Sequence, residues 1–169
     1  MKFLGGLTLA FASLSIASLS IAPVAQAQAA YGSYVGAGVA FGTSSGSGGS
    51  ETSGLIAVRY RLLEVPISLR AQAMLFGGTA AIVPTVSYDI PLNWQTDAYV
   101  GAGVAFQDGD EDSASPIGNQ TAFVIQPGVD YSLPNSNLVV FGNAIIAFDA
   151  YRETGGAATS FQGGVGLRF

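Results

Sequence analysis

The last nine residues, Phe161-Gln-Gly-Gly-Val-Gly-Leu-Arg-Phe169, alternate strictly. Phe161, Gly163, Val165, Leu167 and Phe169 fall on one parity, and Gln162, Gly164, Gly166 and Arg168 on the other. Side chains two apart share one face of a strand, so this is a strand with an apolar face and a polar one. The apolar face runs out to a terminal aromatic, where a soluble domain usually has a polar, frayed end. Strands of this kind must turn a continuous apolar wall either into a core or against lipid.

The same alternation fills seven earlier stretches, at 31–42, 54–62, 66–76, 79–90, 96–107, 121–133 and 138–148, with the eighth at 160–169. Each is close to the ~9–11 residues that cross a bilayer as a tilted strand. The connections alternate too: 43–53, 108–120 and 149–159 are long and polar, 63–65, 91–95 and 134–137 are short, and Gly77-Gly78 is one tight turn on the long side. Mean hydropathy is +0.43 with only 10% charged residues. Past the N-terminus, however, no apolar run approaches the roughly 18 residues of a spanning helix. The apolar residues are dispersed among 23 glycines and many Ser and Thr, which is a β composition.

These residues resemble the bacterial outer-membrane β-barrels. In that family the last strand alternates in this way, ends in Phe and is read by the barrel assembly machinery, a role the resemblance assigns to Phe161, Val165, Leu167 and Phe169. By architecture the mature chain is similar to the small opacity-type, porin-like barrels. The expected fold is all-β: an eight-stranded antiparallel up-and-down transmembrane barrel, preceded by a signal peptide.

The apolar parity carries a sharper test. Tyr60, Tyr88, Tyr131 and Phe169 lie on it at the short-turn ends of strands two, four, six and eight, with Trp94 in the neighbouring turn. Phe41, Phe106, Phe123, Phe148 and Phe161 lie on it at the other end. Two aromatic girdles around an apolar band are what a lipid-facing wall requires. The competing reading is a soluble periplasmic, lipocalin-like ligand-binding barrel with this face turned inward. The other parity disfavours it. Apart from Arg59, Arg61, Arg70, Asp89, Asp97, Asp130 and Arg168 it is mostly small and uncharged, far from the ~25–35% charge usual on a water-facing surface.

Those seven charged residues cluster towards the short-turn end. They are expected to form a lumen plug of four arginines and three aspartates, because buried charges must pair. Glycines on the same parity of strands one and five should make room for the arginines, and the lumen above should hold mainly Gly, Ala, Gln and Ser. Pro84 and Pro127 fall mid-strand without a donor N–H, so a bulge or a missing bond is expected at each. One sequence echo stands out: Tyr34-Val-Gly-Ala-Gly-Val-Ala-Phe41 recurs as Tyr99-Val-Gly-Ala-Gly-Val-Ala-Phe106.

Residues 1–29 read as a secretory signal, with Lys2, an apolar core and a small-x-small site at Ala25-Gln-Ala27 or Ala27-Gln-Ala29; the barrel domain is then 30–169. The mature chain keeps five Arg against eleven acids, which argues against nucleic-acid binding. There is no Cys and no His, so thiolate chemistry and the commonest general base and metal ligand are missing. No enzymatic activity, cofactor or metal site is expected. Asp108-Gly-Asp-Glu-Asp112 starts like a calcium loop, but Ser113 and Asn119 stand where Gly and Glu are required, so it reads as a solvated loop tip. The expected partners are outer-membrane lipid and the assembly machinery, with the protein a monomer. The role is structural or interactive, through the long loops and a ligand the sequence does not name. The next reading is a narrow porin passing small solutes.

Overall fold

Alternating side chains decide the strands, and turn residues decide where they stop. The computed structural model describes residues 32–43, 51–76, 79–108, 121–150 and 157–169. Residues 1–29, expected to be a signal, the Gly77-Gly78 connection and the acidic stretch after Asp108 lie outside them. The strands are β1 (Tyr34–Thr43), β2 (Glu51–Arg61), β3 (Ile67–Phe76), β4 (Thr79–Pro91), β5 (Thr96–Asp108), β6 (Ala122–Ser132), β7 (Leu138–Phe148) and β8 (Ala158–Arg168). β2 and β8 begin earlier than the alternation implies, because Ser53 and Ala158 continue their buried parities.

Each strand pairs antiparallel with the next, and β1 pairs with β8 from Tyr34↔Arg168 to Thr43↔Thr159, which closes the barrel. The pairing can be followed once around from Thr43 through Thr159, Ile146, Ile125, Ala102, Val86, Leu69 and Tyr60. It returns to β1 beside Ser33, about ten residues lower, so the strands are tilted. Eight strands at this stagger enclose an interior that side chains can fill.

The short turns are locally specified. Asn93 Oδ1 accepts from the Gln95 N–H at 2.9 Å, an Asx turn between β4 and β5. Between β6 and β7, Asn135 takes the left-handed conformation (φ 56°) and the Ser136 hydroxyl accepts from the Leu138 N–H.

At Pro84 and Pro127 the ladders are interrupted without a bulge. β4 pairs with β5 at Ile82↔Phe106 and resumes at Thr85↔Gly103 in the same register, and β6 with β7 at Ile125↔Ile146 and again at Gly128↔Asn143. On its other side each proline stays in the ladder, opposite Ala71 and Val100. Each proline thus interrupts pairing on one side only, and the barrel stays closed.

The apolar parity faces outward and the polar parity inward, opposite to the arrangement a soluble barrel needs. All ten girdle aromatics are exposed: Tyr60, Tyr88, Trp94, Tyr131 and Phe169 at the short-turn end, and Phe41, Phe106, Phe123, Phe148 and Phe161 at the other. Trp94 stands furthest out, at 94% exposure. Phe169 follows the last strand residue, its N–H held by the Ser33 carbonyl at 3.3 Å. No helix among the described residues is long and apolar enough to cross a membrane.

Candidate functional site

The inward parity of β2, β3, β4 and β6 delivers Arg59, Arg70, Asp89 and Asp130 to one level of the lumen. All four are at most 5% exposed. Asp130 is shared, its Oδ2 accepting from Arg59 Nη1 and Arg70 Nη2, both at 2.9 Å. Asp89 is shared as well, taking Arg59 Nη2 at 2.8 Å and Arg70 Nη2 at 3.4 Å. Towards the short turns Asp97 extends the network, accepting from Arg59 at 3.2 Å and Arg61 at 3.0 Å. Three arginines meet three aspartates, so the network is neutral. That balance is what allows ions to sit out of water, and the planar guanidinium fork is what lets one cation serve two carboxylates.

Hydroxyls complete the shell. Ser68 donates to Asp89 and accepts from Arg59 Nε, and Ser87 donates to Asp89 and accepts from Arg70 Nε. The Tyr34 hydroxyl donates to Asp130 Oδ1 at 3.1 Å and accepts from Arg70 Nη1 at 3.4 Å. The Tyr99 ring lies under Arg70, with the guanidinium carbon 3.3 Å from the ring centroid, a cation–π contact.

Three expectations about the lumen are corrected. Arg168 does not join the ionic network: its Nη2 donates to the Ser136 carbonyl at 2.5 Å, tying the last strand to the β6–β7 turn. It sits below the aspartates, where it and Arg61 line a vestibule of about 400 Å³ beside Trp94 and Asp97. Second, the inward glycines of β1 and β5 do not make room for arginines: Gly36 faces a ring, Gly38 and Gly103 lie against neighbouring backbone, and Gly101 lies against Ser87 and Thr85, while the rings also use glycines of β6 and β8. A Cβ on Gly36 or Gly164 would come within 2.8 and 2.6 Å of the Phe141 ring, and one on Gly128 would strike Tyr99. Third, the half of the lumen towards the long loops holds mainly Ala, Gln and Ser as expected, but larger apolar side chains join them. Leu55, Met74, Val83, Val124 and Ile145 are buried there.

Sequence reasoning missed Tyr34, Tyr99 and Phe141, although a signal for two of them was present. The repeated Tyr-Val-Gly-Ala-Gly-Val-Ala-Phe puts each Tyr on the parity opposite its Phe, hence inward when the Phe is outward. β1 and β5 stand on opposite walls, so the repeat brings a tyrosine to Arg70 from each side. Phe141 stacks on Tyr34 with ring centroids 5.6 Å apart and planes 18° from parallel. Among the described residues no group of acids is arranged to hold a metal ion.

No family model matches the sequence, and no curated protein does. Solved structures match by fold. A de novo designed transmembrane β-barrel aligns with a TM-score of 0.56 at 11% identity, over 82% of this chain and 96% of that one. Neisserial surface protein A (NspA) aligns with a TM-score of 0.54 at 20% identity, over 81% and 97%. The attachment invasion locus protein Ail of Yersinia pestis, solved with the heparin analogue sucrose octasulfate, aligns with a TM-score of 0.53 at 15% identity, over 81% and 97%. By fold, the chain is a small eight-stranded transmembrane-type β-barrel like NspA and Ail.

Proposed function

We propose that the protein is an integral barrel of a bacterial outer membrane, a closed wall that displays long polar loops and has its lumen plugged by the arginine–aspartate network. The observation that carries this is the inversion of the molecule. Arg59 and Asp89 are 2% and 1% exposed, while Val86, Phe123 and Phe161 are each more than half exposed. Water would penalise that arrangement on every strand, and lipid favours it. The two aromatic rings then stand at the two interfaces, with Trp94 at the short-turn headgroup level. The same reading takes residues 1–29 as a cleaved signal, and Phe161, Val165, Leu167 and Phe169 as the strand face presented to an assembly machinery.

The role is structural or interactive and not catalytic, and the barrel is a monomer. Ail was solved with the heparin analogue sucrose octasulfate, but so anionic a ligand does not suit this chain, whose 108–112 stretch carries Asp108, Asp110, Glu111 and Asp112. A cationic or neutral loop ligand fits that charge better. The narrow-porin reading is disfavoured by a lumen that pairs its ions at one level and packs Leu55, Met74, Val83, Val124 and Ile145 at another.

Cell fractionation followed by planar-bilayer recording tests the proposal. The protein should sediment with the outer membrane, begin after Ala27 or Ala29 by mass spectrometry, and give no steady conductance. Recovery in the soluble periplasm would end the membrane reading, and stable channels would replace the plugged wall with a pore.

A further inference from the structure

Between the ionic network and the apolar upper lumen lies a level of buried amides. Gln72, Gln126, Asn143 and Gln162, from β3, β6, β7 and β8, are 4%, 0%, 8% and 6% exposed. Asn143 is directly opposite Gln162 across β7 and β8. Asn143 is also directly opposite Gly128, whose missing side chain brings Asn143 and Tyr99 together. Gln72 Oε1, Gln126 Nε2, Asn143 Nδ2 and Gln162 Oε1 are buried with no hydrogen-bond partner among the described residues, while the Tyr99 hydroxyl and Asn143 Oδ1, equally buried, lie close enough to serve each other.

Turning the amides over does not remove the mismatch. Gln126 is oriented by the Thr85 hydroxyl, which donates to its Oε1 at 2.7 Å, and this leaves Nε2 pointing elsewhere. Gln162 is oriented by Met74, whose sulfur accepts from its Nε2 at 3.7 Å. A flip of Gln162 would lose the bond it has, and a flip of Gln126, whose Nε2 would then donate to the same hydroxyl, would only leave Oε1 unpaired in place of Nε2. The four orphan atoms comprise two donors and two acceptors, and no charge lies among them. Leaving an amide dry and unpaired forfeits its hydration with nothing in return, so a neutral partner that both donates and accepts belongs here. An ion is a poor fit, since the charged groups just below are already balanced.

We propose that this amide belt is a binding site for a small cluster of long-lived water molecules, held in mid-lumen between the ionic network and the apolar cap. A buried water makes about three hydrogen bonds to otherwise unsatisfied groups, and mixed donors and acceptors around the wall supply them. The ionic level below and the cap of Leu55, Val83, Val124 and Ile145 above separate the cluster from both mouths of the barrel. The inference concerns the closed lumen and holds whichever membrane the barrel occupies.

The test uses the full mature barrel in lipid nanodiscs, with nitrogen-15 labelling and side-chain amide assignment. Water-to-amide cross-relaxation should appear at the NH2 groups of Gln126 and Asn143, with NOE and ROE of opposite sign. That sign pattern marks water bound for longer than about a nanosecond. In Asn143→Leu the cross-peak at Gln126 should be lost or fall several-fold while the backbone spectrum of the strands is kept. If that variant does not fold, the unsubstituted protein alone decides. Direct amide-to-amide NOEs without water cross-peaks would show that the belt pairs with itself and would overturn the site. Same-sign NOE and ROE would mark freely exchanging water and overturn the sealing. Neither result depends on fractionation or conductance, so failure here is separable from failure of the plugged-wall reading.

Discussion

Replacing Asp130 by Ala removes the carboxylate that accepts from Arg59, Arg70 and Tyr34 at once. Two buried guanidinium groups are then left with Asp89 between them, at 2.8 and 3.4 Å, and the network carries one unbalanced positive charge. Breaking a buried pair by removing one partner costs roughly 3–5 kcal/mol. Because Asp89 still touches both arginines, the lower end applies, about 3 kcal/mol. Asp97→Ala is the internal control. Its side chain and that of Arg61 are 18% and 23% exposed, so water can replace what is lost and about 1 kcal/mol or less is expected. The double variant Asp130→Leu/Arg70→Met restores neutrality with apolar volume and should recover to within about 1.5 kcal/mol of the parent. Urea unfolding of the refolded barrel in lipid vesicles reads all four proteins through one reporter, since Trp94 is the chain's single tryptophan. If Asp130→Ala loses no more than Asp97→Ala, or the double variant is no better than Asp130→Ala, the ions do not act as one network and the argument for a structural plug fails.

Glycine substitutions should separate the two faces. Gly103→Ala drives a Cβ into the Pro84 carbonyl and should cost about 1–3 kcal/mol, whereas outward Gly142→Ala meets nothing nearer than 3.8 Å and should be neutral within about 0.5 kcal/mol in the same urea assay. Phe169→Asp should lower the yield of folded barrel in cells well below that of Arg152→Asp; equal yields would count against an interfacial role for the terminal aromatic. Trp94 fluorescence should be quenched by lipids brominated near the headgroup more than by lipids brominated near the chain ends. The reverse order, or no quenching, would remove Trp94 from the interface.

The barrel was legible because period-two alternation is local and repeated: one parity is right or wrong for a whole strand, and eight agreeing strands leave little freedom. The direction of the faces was legible too, from where the aromatics fall and where lysine is absent. What fills the lumen was not legible, because that depends on which residues meet across the barrel, a matter of stagger rather than periodicity. Arg168 shows this. Its parity is correct, yet the stagger sets it beside the β6–β7 turn, where Ser136 offers a carbonyl before any aspartate comes within reach. Phe141 shows the same from the other direction. On its strand it is one more inward residue, and only the glycines of β1 and β8 opposite it reveal that a ring fits there.

The inward parity therefore obeys two rules that the outward parity does not. Outside, between the two aromatic rings, Val, Ala, Ile and Leu succeed one another without pattern, as a lipid-facing band allows. Inside, volume and charge must both close. A large group is matched by glycine on the facing strands, and every buried cation by a carboxylate at its own level. Asp89 and Asp130 illustrate the second rule at the level of sequence. In Pro84-Thr-Val-Ser-Tyr-Asp89 and Pro127-Gly-Val-Asp130-Tyr-Ser132, Ser and Asp have exchanged places around an outward tyrosine. In each segment the two inward positions carry this pair in opposite order while the outward tyrosine between them is the same. The exchange leaves Asp89 and Asp130 each within reach of the same two arginines, whose two charges neither carboxylate could balance alone. Period two keeps the two faces independent, so the inward positions of β4 and β6 can differ while their outward positions match, and with two carboxylates at the level of two arginines eight short strands with few charges carry a neutral ionic core.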